Sequence, residues 1–245
     1  MSERRTATMR GVFITGTDTG VGKTRIGAAL AHLLIGRGLR VRPRKPVESG
    51  CLAGPDGLLP QDAAVLRAAA GCAEPLELIC RNRLRAPLSP ERAAELEGMA
   101  LDLGRLHAAC LAGIDSDDFL LVEGAGGFYS PLARSALNAD LAGGLGLPVL
   151  VVAADRLGSL NHTLLTVEAV RMRGLALAGV VLNQPEHQPD PAMDNAADLE
   201  RWLQMPVLRL PYRSCSGVEA WQQEAALLAP LADAWFAEEM EKPCR

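Results

Sequence analysis

Residues 16–24 of the 245-residue chain read GTDTGVGKT, the most informative motif in the sequence. An apolar run, Gly11–Ile14, precedes it, and a helical pattern of aliphatic residues, Ile26–Leu34, follows it. A strand, a loop ending in Gly-Lys-Thr and then a helix form the context of a phosphate-binding loop. Backbone N–H groups and the helix dipole both attract an anion to such a helix start. The motif therefore predicts a nucleoside triphosphate site.

Two residues of this loop have defined chemical tasks. Lys23 is expected to reach the β- and γ-phosphates, and the Thr24 hydroxyl is expected to hold Mg²⁺. The loop departs from the common motif at Thr17, where glycine is usual, with Gly16 one residue earlier. The predicted nucleotide-binding residues of the loop are Thr19, Gly20, Val21, Gly22, Lys23, Thr24 and Arg25.

The composition is that of an ordinary globular protein, with 49% hydrophobic and 22% charged residues. The net charge of −4 and the lack of a lysine and arginine block argue against a nucleic-acid partner. The longest apolar run, residues 145–154, is far too short to span a membrane. Residues 1–10 are polar and basic and predict a loose extension, not a secretory signal. The six cysteines are scattered without metal-ligand spacing, which predicts reduced, mostly buried thiols in a cytoplasmic protein.

Apolar runs alternate with helical patterns along the chain. Strands are predicted over residues 11–15, 39–47, 119–122, 148–153, 175–182 and 206–210. Helices are predicted over residues 23–36, 61–71, 90–113, 159–173, 192–204 and 218–241, with Ser89 as an N-cap before Pro90. Such alternation predicts a single α/β domain over residues 11–245, a mostly parallel sheet flanked by helices as in P-loop NTPases.

Polar residues follow the predicted strands, and the carboxyl ends of parallel strands form the active crevice of such folds. Glu123 comes directly after a strand, where a second Mg²⁺ ligand is expected. The glycines of residues 124–127 would let the backbone approach a phosphate closely. Lys45 and Asn183 also stand at strand ends, whereas the four histidines share no ligand spacing and are expected to be structural or solvated.

Taken in order, these motifs resemble the dethiobiotin synthetase family. The resemblance rests on GTDTGVGKT at 16–24, KPVESG at 45–50, Asp62, VEGAGG at 122–127, LGSLNHTLLT at 157–166 and GVVLN at 179–183. It covers the chain from about residue 11 to 212 and accounts for Thr17, because that family has threonine there. The resemblance implies an enzyme that closes the ureido ring of dethiobiotin from 7,8-diaminononanoate, CO₂ and ATP. The route implied is a carbamate that ATP phosphorylates, with release of ADP and phosphate.

The resemblance also implies roles for residues of this chain. The implied catalytic groups are Lys45, Lys23 and Thr17, and the implied Mg²⁺ ligands are Thr24, Asp62 and Glu123. Besides the loop, the implied ATP-binding residues are Asp62, Glu123, Gly124, Ala125, Gly126, Asn183, Leu210, Pro211 and Tyr212. The implied substrate-binding residues are Thr17, Lys45, Ser49, Gly158, Ser159, Leu160 and Asn161.

The last four of these substrate-binding residues would serve the opposite subunit of a homodimer. They match a helix start in the family, where free N–H groups hold the carboxylate of the diamine. Ser159 is the residue expected to cap this helix, with Asn161 in its first turn.

One segment departs from the family. Residues 85–91 read RAPLSPE, without the acidic residue and the histidine that family members commonly carry there. The role of this loop in substrate contact therefore stays open.

Two other function classes share the phosphate-binding loop. Partner-switching ATPases of the division and partition type carry an extra lysine early in the loop, where this chain has Asp18. They often end in a basic membrane helix, whereas the last predicted helix here is acidic. A small-molecule kinase is disfavoured by the KPVESG segment and by the absence of an evident arginine-rich lid.

Overall fold

The computed structural model describes residues 9–55, 57–185, 192–214 and 217–241. The strands in this part of the chain are β1 (Gly11–Gly16), β2 (Arg40–Arg44), β3 (Val47–Ser49), β4 (Leu52–Gly54), β5 (Gly57–Leu59), β6 (Asn82–Leu84), β7 (Asp118–Gly127), β8 (Pro131–Ala133), β9 (Ala136–Leu137), β10 (Val149–Ala154), β11 (Leu177–Asn183) and β12 (Val207–Leu210). The helices are α1 (Lys23–Gly36), α2 (Gln61–Ala69), α3 (Leu76–Ile79), α4 (Pro90–Leu96), α5 (Leu103–Leu111), α6 (Asn138–Leu145), α7 (Ser159–Met172), α8 (Asn195–Leu203) and α9 (Val218–Glu241).

Six parallel strands form the central sheet in the order β12-β11-β10-β1-β7-β2. Strand β1 lies inside the sheet, with Phe13 opposite Val149 of β10 and Val122 of β7. All six strands therefore end at one edge, and the loop after β1 leaves the sheet between two neighbouring strands.

Helices cover both faces of the sheet, as the near-continuous aliphatic strands require. On one face, Ile14 of β1 packs with Ile26 and Leu30 of α1 and with Leu228 of α9. On the other face, Phe13 belongs to a second buried cluster that also contains residues of α5, α6, α7 and α8. Successive residues of β1 thus serve opposite layers, because side chains alternate along a strand. The predicted single α/β domain with a parallel sheet is confirmed.

Three element predictions were wrong. The strand expected over residues 39–47 is two strands, β2 and β3, which belong to different sheets. The single helix expected over residues 90–113 is two helices, α4 and α5, because Gly98 has a positive φ of 67° and ends the first. The strand expected to stop before Glu123 continues to Gly127, because β7 pairs with β1 again at Gly16 after an irregularity. Ser89 does precede α4, with Pro90 at its first position, but its side chain makes no capping hydrogen bond.

Several short elements were not predicted at all. They are helices α3 and α6 and the two-stranded pairs β3–β6, β4–β5 and β8–β9. The expected N-terminal extension falls mostly on residues outside the described part of the chain, as do Cys215 and Cys244. Cys51, Cys72, Cys80 and Cys110 have free thiols, and three of the four are buried. In the described ranges no helix is both long and apolar enough to cross a membrane.

Candidate active site

A cavity of about 610 Å³ lies at the carboxyl ends of β1, β2 and β7. Its position follows from the topology, since these strands lie side by side and run in the same direction. The lining residues are Thr19, Gly20, Gly22, Lys23, Thr24, Lys45, Glu48, Ser49, Asp62, Pro87, Leu88, Ser89, Pro90, Glu123, Ala125, Gly126 and Ser130.

The loop between β1 and α1 curls around the ammonium group of Lys23. Gly20 and Gly22 have positive φ angles of 74° and 95°, which residues with a side chain rarely adopt. A Cβ at Gly22 would also lie 2.1 Å from the amide nitrogen of Asn183. Lys23 is 7% exposed, and its Nζ donates a hydrogen bond of 3.0 Å to the carbonyl of Asp18. Burial lowers the pKa of Lys23 to about 8, so a bound phosphate would supply the counter-charge that this lysine lacks.

Lys45 joins two acidic side chains at the floor of the cavity. Its Nζ donates to Oε1 of Glu123 at 2.5 Å and to Oδ2 of Asp62 at 2.9 Å. The Thr24 hydroxyl donates to the same Glu123 oxygen at 3.0 Å. Strand β7 supplies Glu123, helix α2 supplies Asp62, and the turn after β2 supplies Lys45. Lys45 and Thr24 therefore meet at one carboxylate oxygen of Glu123, and Asp62 joins them through the Lys45 ammonium.

The ionisable groups in this cluster shift one another's pKa values. Burial alone would lower the pKa of Lys45, but the carboxylates of Glu123 and Asp62 outweigh it and raise that pKa above its usual range. Burial would raise the pKa of Asp62, yet Lys45 and the Thr24 hydroxyl hold it below its usual range. Lys45 and Asp62 are thus a charged pair at neutral pH, and the Glu123 carboxylate lies against the same ammonium group.

One carboxylate oxygen of this cluster has no protein partner in the described part of the chain, and it fits a divalent cation. Oε2 of Glu123 is buried and has no hydrogen-bond partner, an uncommon state for a carboxylate oxygen. Among the described residues no three histidine, cysteine, aspartate or glutamate side chains gather as a metal cage. Two carboxylates and the Thr24 hydroxyl are hard oxygen donors, and so small a set is typical of Mg²⁺ that shares its ligands with phosphates.

The side chain of Asn183 stabilises the loop between β1 and α1 through hydrogen bonds. Its amide nitrogen donates to the carbonyl of Val21 at 2.9 Å, and its oxygen accepts from Arg25 at 2.7 Å. Arg25 also donates to the Pro211 carbonyl at 2.8 Å and pairs with the buried carboxylate of Glu224 in α9. One arginine therefore ties α1, the end of β11, the segment after β12 and the last helix together.

The segment predicted to serve an opposite subunit does not line this cavity. Residues 158–161 lie at the start of helix α7, and none of them is among the lining residues. The expected cap at Ser159 is wrong, because the N-cap is Gly158 at a φ of 90° with no side-chain bond. Ser159 is instead the first helical residue, and its buried hydroxyl donates to the Ala154 carbonyl at 2.7 Å. Asn161 is exposed, and Leu157 just before the helix is 93% exposed.

The cavity gathers most, but not all, of the residues singled out from the sequence. Those on its lining are Thr19, Gly20, Gly22, Lys23, Thr24, Lys45, Ser49, Asp62, Glu123, Ala125 and Gly126. Those not on it are Thr17, Val21, Arg25, Gly124, Gly158, Ser159, Leu160, Asn161, Asn183, Leu210, Pro211 and Tyr212.

Six residues of the lining were given no binding or catalytic role from the sequence: Glu48, Pro87, Leu88, Ser89, Pro90 and Ser130. Four of them belong to the loop of residues 85–91, the segment that differs from the family pattern. This loop reaches the cavity because it follows β6, which pairs with β3. Glu48 lies inside the KPVESG segment, three residues after Lys45, and this proximity in sequence could have indicated a place at the site.

Comparisons with known proteins agree on the fold and on the family. A family described as an AAA domain matches residues 10–217. An ATP-dependent dethiobiotin synthetase from Anaeromyxobacter sp. is 47% identical over 206 residues, which cover 83% of this chain and 91% of that protein. The enzyme of the same name from Ralstonia nicotianae is 43% identical over 203 residues, covering 81% and 89%.

A solved structure of the MinC:MinD cell division protein complex from Aquifex aeolicus is similar in fold. It has a TM-score of 0.56 and covers 93% of this chain and 96% of that one, with 12% sequence identity. Identity this low carries the architecture only.

Proposed function

The chain belongs to the family of ATP-dependent dethiobiotin synthetases, and from this premise we propose how its cavity closes the ureido ring of dethiobiotin. The enzyme is an ATP-dependent ligase that forms carbon–nitrogen bonds. Its substrates are 7,8-diaminononanoate, CO₂ and ATP, and its products besides dethiobiotin are ADP and phosphate. One amine takes up CO₂ as a carbamate. A carbamate oxygen attacks the γ-phosphorus and displaces ADP, and the second amine then attacks the carbamate carbon and displaces phosphate to close the ring.

The first barrier is repulsion between two anions, the carbamate and the γ-phosphate. Cations fixed in the site before the reaction lower that barrier without reorganisation. Lys23 and Lys45 are 7% and 4% exposed, and both line the cavity. We assign Lys23 to the transferred phosphoryl group and Lys45 to the carbamate, with the hydroxyls of Thr17 and Ser49 binding the diamine and its carbamate. No covalent enzyme nucleophile is needed, because positioning and electrostatics carry phosphoryl transfer.

Thr24, Asp62 and Glu123 are the residues that would hold Mg²⁺. The observation that supports this is the partnerless buried oxygen of Glu123 next to the Thr24 hydroxyl. When bound, Mg²⁺ supplies positive charge to the phosphate oxygens in phosphoryl transfer. Lys45 lies against the same two carboxylates and balances part of their charge.

The nucleotide is held by the loop backbone of residues 19–25 and by the end of β7 at Gly124, Ala125 and Gly126. We place the base near Asn183 and the segment Leu210–Tyr212. Asn183 uses its oxygen and one amide N–H on the protein, and we assign its second amide N–H to the base.

The carboxylate of the diamine is assigned to residues Gly158–Asn161 of a second copy of the chain in a homodimer. The exposed start of α7 supports this assignment. Gly158 offers no side chain to cap the helix, and the Ser159 N–H donates to the Arg156 carbonyl, so we assign the anion to the next backbone N–H groups, those of Leu160 and Asn161. Leu157, Leu165 and Met172 on and beside this helix are exposed, and an interface between two copies would cover them.

The observation that carries the proposal is the buried ammonium of Lys45 between two carboxylates, beside the phosphate-binding loop. Its test is the Lys45→Gln variant, which keeps the side-chain length and removes the charge. We expect the rate of phosphate release with ATP, bicarbonate and diamine to fall by roughly two to four powers of ten. Binding of an unreactive ATP analogue, measured by calorimetry, should change little.

The matched control is Arg105→Gln, which removes an exposed cation outside the cavity. It should leave both the rate and the analogue affinity at the wild-type values. An equal loss of analogue affinity and of rate in Lys45→Gln would instead assign Lys45 to the nucleotide.

A further inference from the structure

Among the described residues that line the cavity, Glu48 is the one charged residue that the reaction described above does not use. It lies in β3, three residues after Lys45, and its side chain is 6% exposed. Both of its carboxylate oxygens accept backbone hydrogen bonds. Oε1 accepts from the N–H of Asp62 at 3.0 Å, and Oε2 accepts from the N–H of Ala63 at 3.1 Å.

These two bonds hold the start of helix α2. The first N–H groups of a helix have no partner inside it, and a side chain at the N-cap position usually provides one. Here the N-cap is Pro60, which makes no side-chain bond. Glu48 therefore does the capping from another strand, and its negative charge also suits a helix N-terminus.

The cap acts on the turn that presents Asp62 to the cluster. Asp62 is the second residue of α2, so its backbone N–H bonds to Glu48 while its carboxylate bonds to Lys45 at 2.9 Å. Lys45 and Glu48 belong to one short segment, which pairs at residues 47–49 with β6. The strand segment that carries Lys45 and the helix that carries Asp62 are thus fastened to each other at this carboxylate.

We propose that Glu48 is a positioning residue: by holding the first turn of α2 it fixes the Asp62 carboxylate beside Thr24 and Glu123 and so sets the affinity of the site for its divalent cation. The inference rests on the proposed function, in which Asp62 is a metal ligand. Residues that orient a metal ligand typically change metal affinity by about 10- to 100-fold when they are removed. The carboxylate of Glu48 needs no contact with substrate for this effect.

The test measures metal binding directly with Mn²⁺, a paramagnetic replacement for Mg²⁺. Free Mn²⁺ is quantified by electron paramagnetic resonance in the presence of protein and saturating ADP. We expect Glu48→Ala to weaken Mn²⁺ binding about tenfold or more. The Mg²⁺ concentration for half-maximal turnover should rise by the same factor, while kcat at saturating Mg²⁺ stays within about threefold. Glu48→Gln keeps one acceptor oxygen and should lie between the two.

Two controls separate the possible causes. Asp102→Ala removes the N-cap bond of α5, in which Asp102 accepts from the N–H of Arg105 at 2.8 Å, outside the cavity. It should lower thermal stability without moving Mn²⁺ affinity. Asp62→Asn tests the premise, because it removes a proposed ligand charge and leaves the backbone N–H in place.

Weakened Mn²⁺ binding in Asp62→Asn together with unchanged binding in both Glu48 variants would overturn the inference and keep the proposed function. Unchanged binding in Asp62→Asn would overturn the metal assignment itself. If Glu48→Ala does not fold, Glu48→Gln decides on the same measurement. A loss of kcat at saturating Mg²⁺ with unchanged Mn²⁺ affinity would also contradict the inference, since Glu48 would then act on the substrate.

Discussion

The two buried lysines of the cavity should have opposite effects on stability. Burial lowers the pKa of Lys23 to about 8, below the usual 10.5, so the folded protein disfavours its charged form. The pKa of Lys45 is raised, because the carboxylates beside it outweigh its burial. We therefore expect Lys23→Met to make the free protein more stable at pH 7 and Lys45→Met to make it less stable.

The size of the Lys23 effect follows from its pKa. A fall from 10.5 to about 8 corresponds to about 3 kcal/mol of destabilisation at neutral pH. Lys23→Met also loses the hydrogen bond to the Asp18 carbonyl, which contributes about 1 kcal/mol. The expected gain is about 2 kcal/mol, or about 4–8 °C in Tm for a chain of this size. Lys45→Met leaves the buried Glu123 without its cation and should cost about 3–5 kcal/mol.

The two effects also differ in their dependence on pH. Between pH 8 and 10.5 the unfolded chain binds a proton at Lys23 that the folded chain does not, so wild-type stability rises with pH there. The advantage of Lys23→Met should therefore be full below pH 8 and shrink towards pH 10.5. The contribution of Lys45 is present below pH 10.5 and is lost only above it, because its folded pKa is raised.

The assay is urea unfolding of the nucleotide-free protein at pH 7.0 and pH 9.5, followed by circular dichroism, with Arg105→Met as an exposed control. A Lys23→Met variant less stable than wild type at pH 7, or a difference unchanged by pH, would refute the reasoning about its burial.

Two further predictions concern the metal and the dimer. Thr24→Val should chiefly raise the Mg²⁺ concentration needed for turnover, since it removes one oxygen donor; an unchanged Mg²⁺ requirement in a titration of the rate would exclude that role. Mixing Lys23→Ala subunits with Asn161→Glu subunits should restore part of the activity that each variant lacks alone, because some heterodimers hold one intact site. Verified heterodimers without recovery, or an active monomer in sedimentation, would place carboxylate binding within one chain.

The main features of the fold could be predicted from local patterns in the sequence. Strand β1, the loop of residues 16–24 and helix α1 were predictable because aliphatic periodicity and glycine placement are local signals. The end of β7 was not, because glycines in isolation favour a loop, whereas β7 pairs with β1 again at Gly127 after an irregularity in which Gly126 has a φ of 77°. Strands of two or three residues, such as β3 and β6, exist only through their pairing with each other.

The same difference between local signals and long-range contacts applies to the candidate site. Lys45, Asp62 and Glu123 could be singled out as individual residues, but the meeting of both carboxylates at the Lys45 ammonium depends on three separate parts of the chain. The hydrogen bonds from α2 to Glu48 have no sequence signature, since Glu48 and Asp62 are 14 residues apart in the chain. Ser159 was misassigned as a cap because serine is common there, while the turn places Gly158 in that position and buries the serine.

The most direct test of the account is a product balance with ATP, ¹⁴C-bicarbonate and 7,8-diaminononanoate. The account predicts one ADP and one labelled dethiobiotin for each turnover, with ADP release falling to background when the diamine is left out. ADP release at the same rate without the diamine, with no labelled product, would contradict ring closure and indicate an ATPase of another kind.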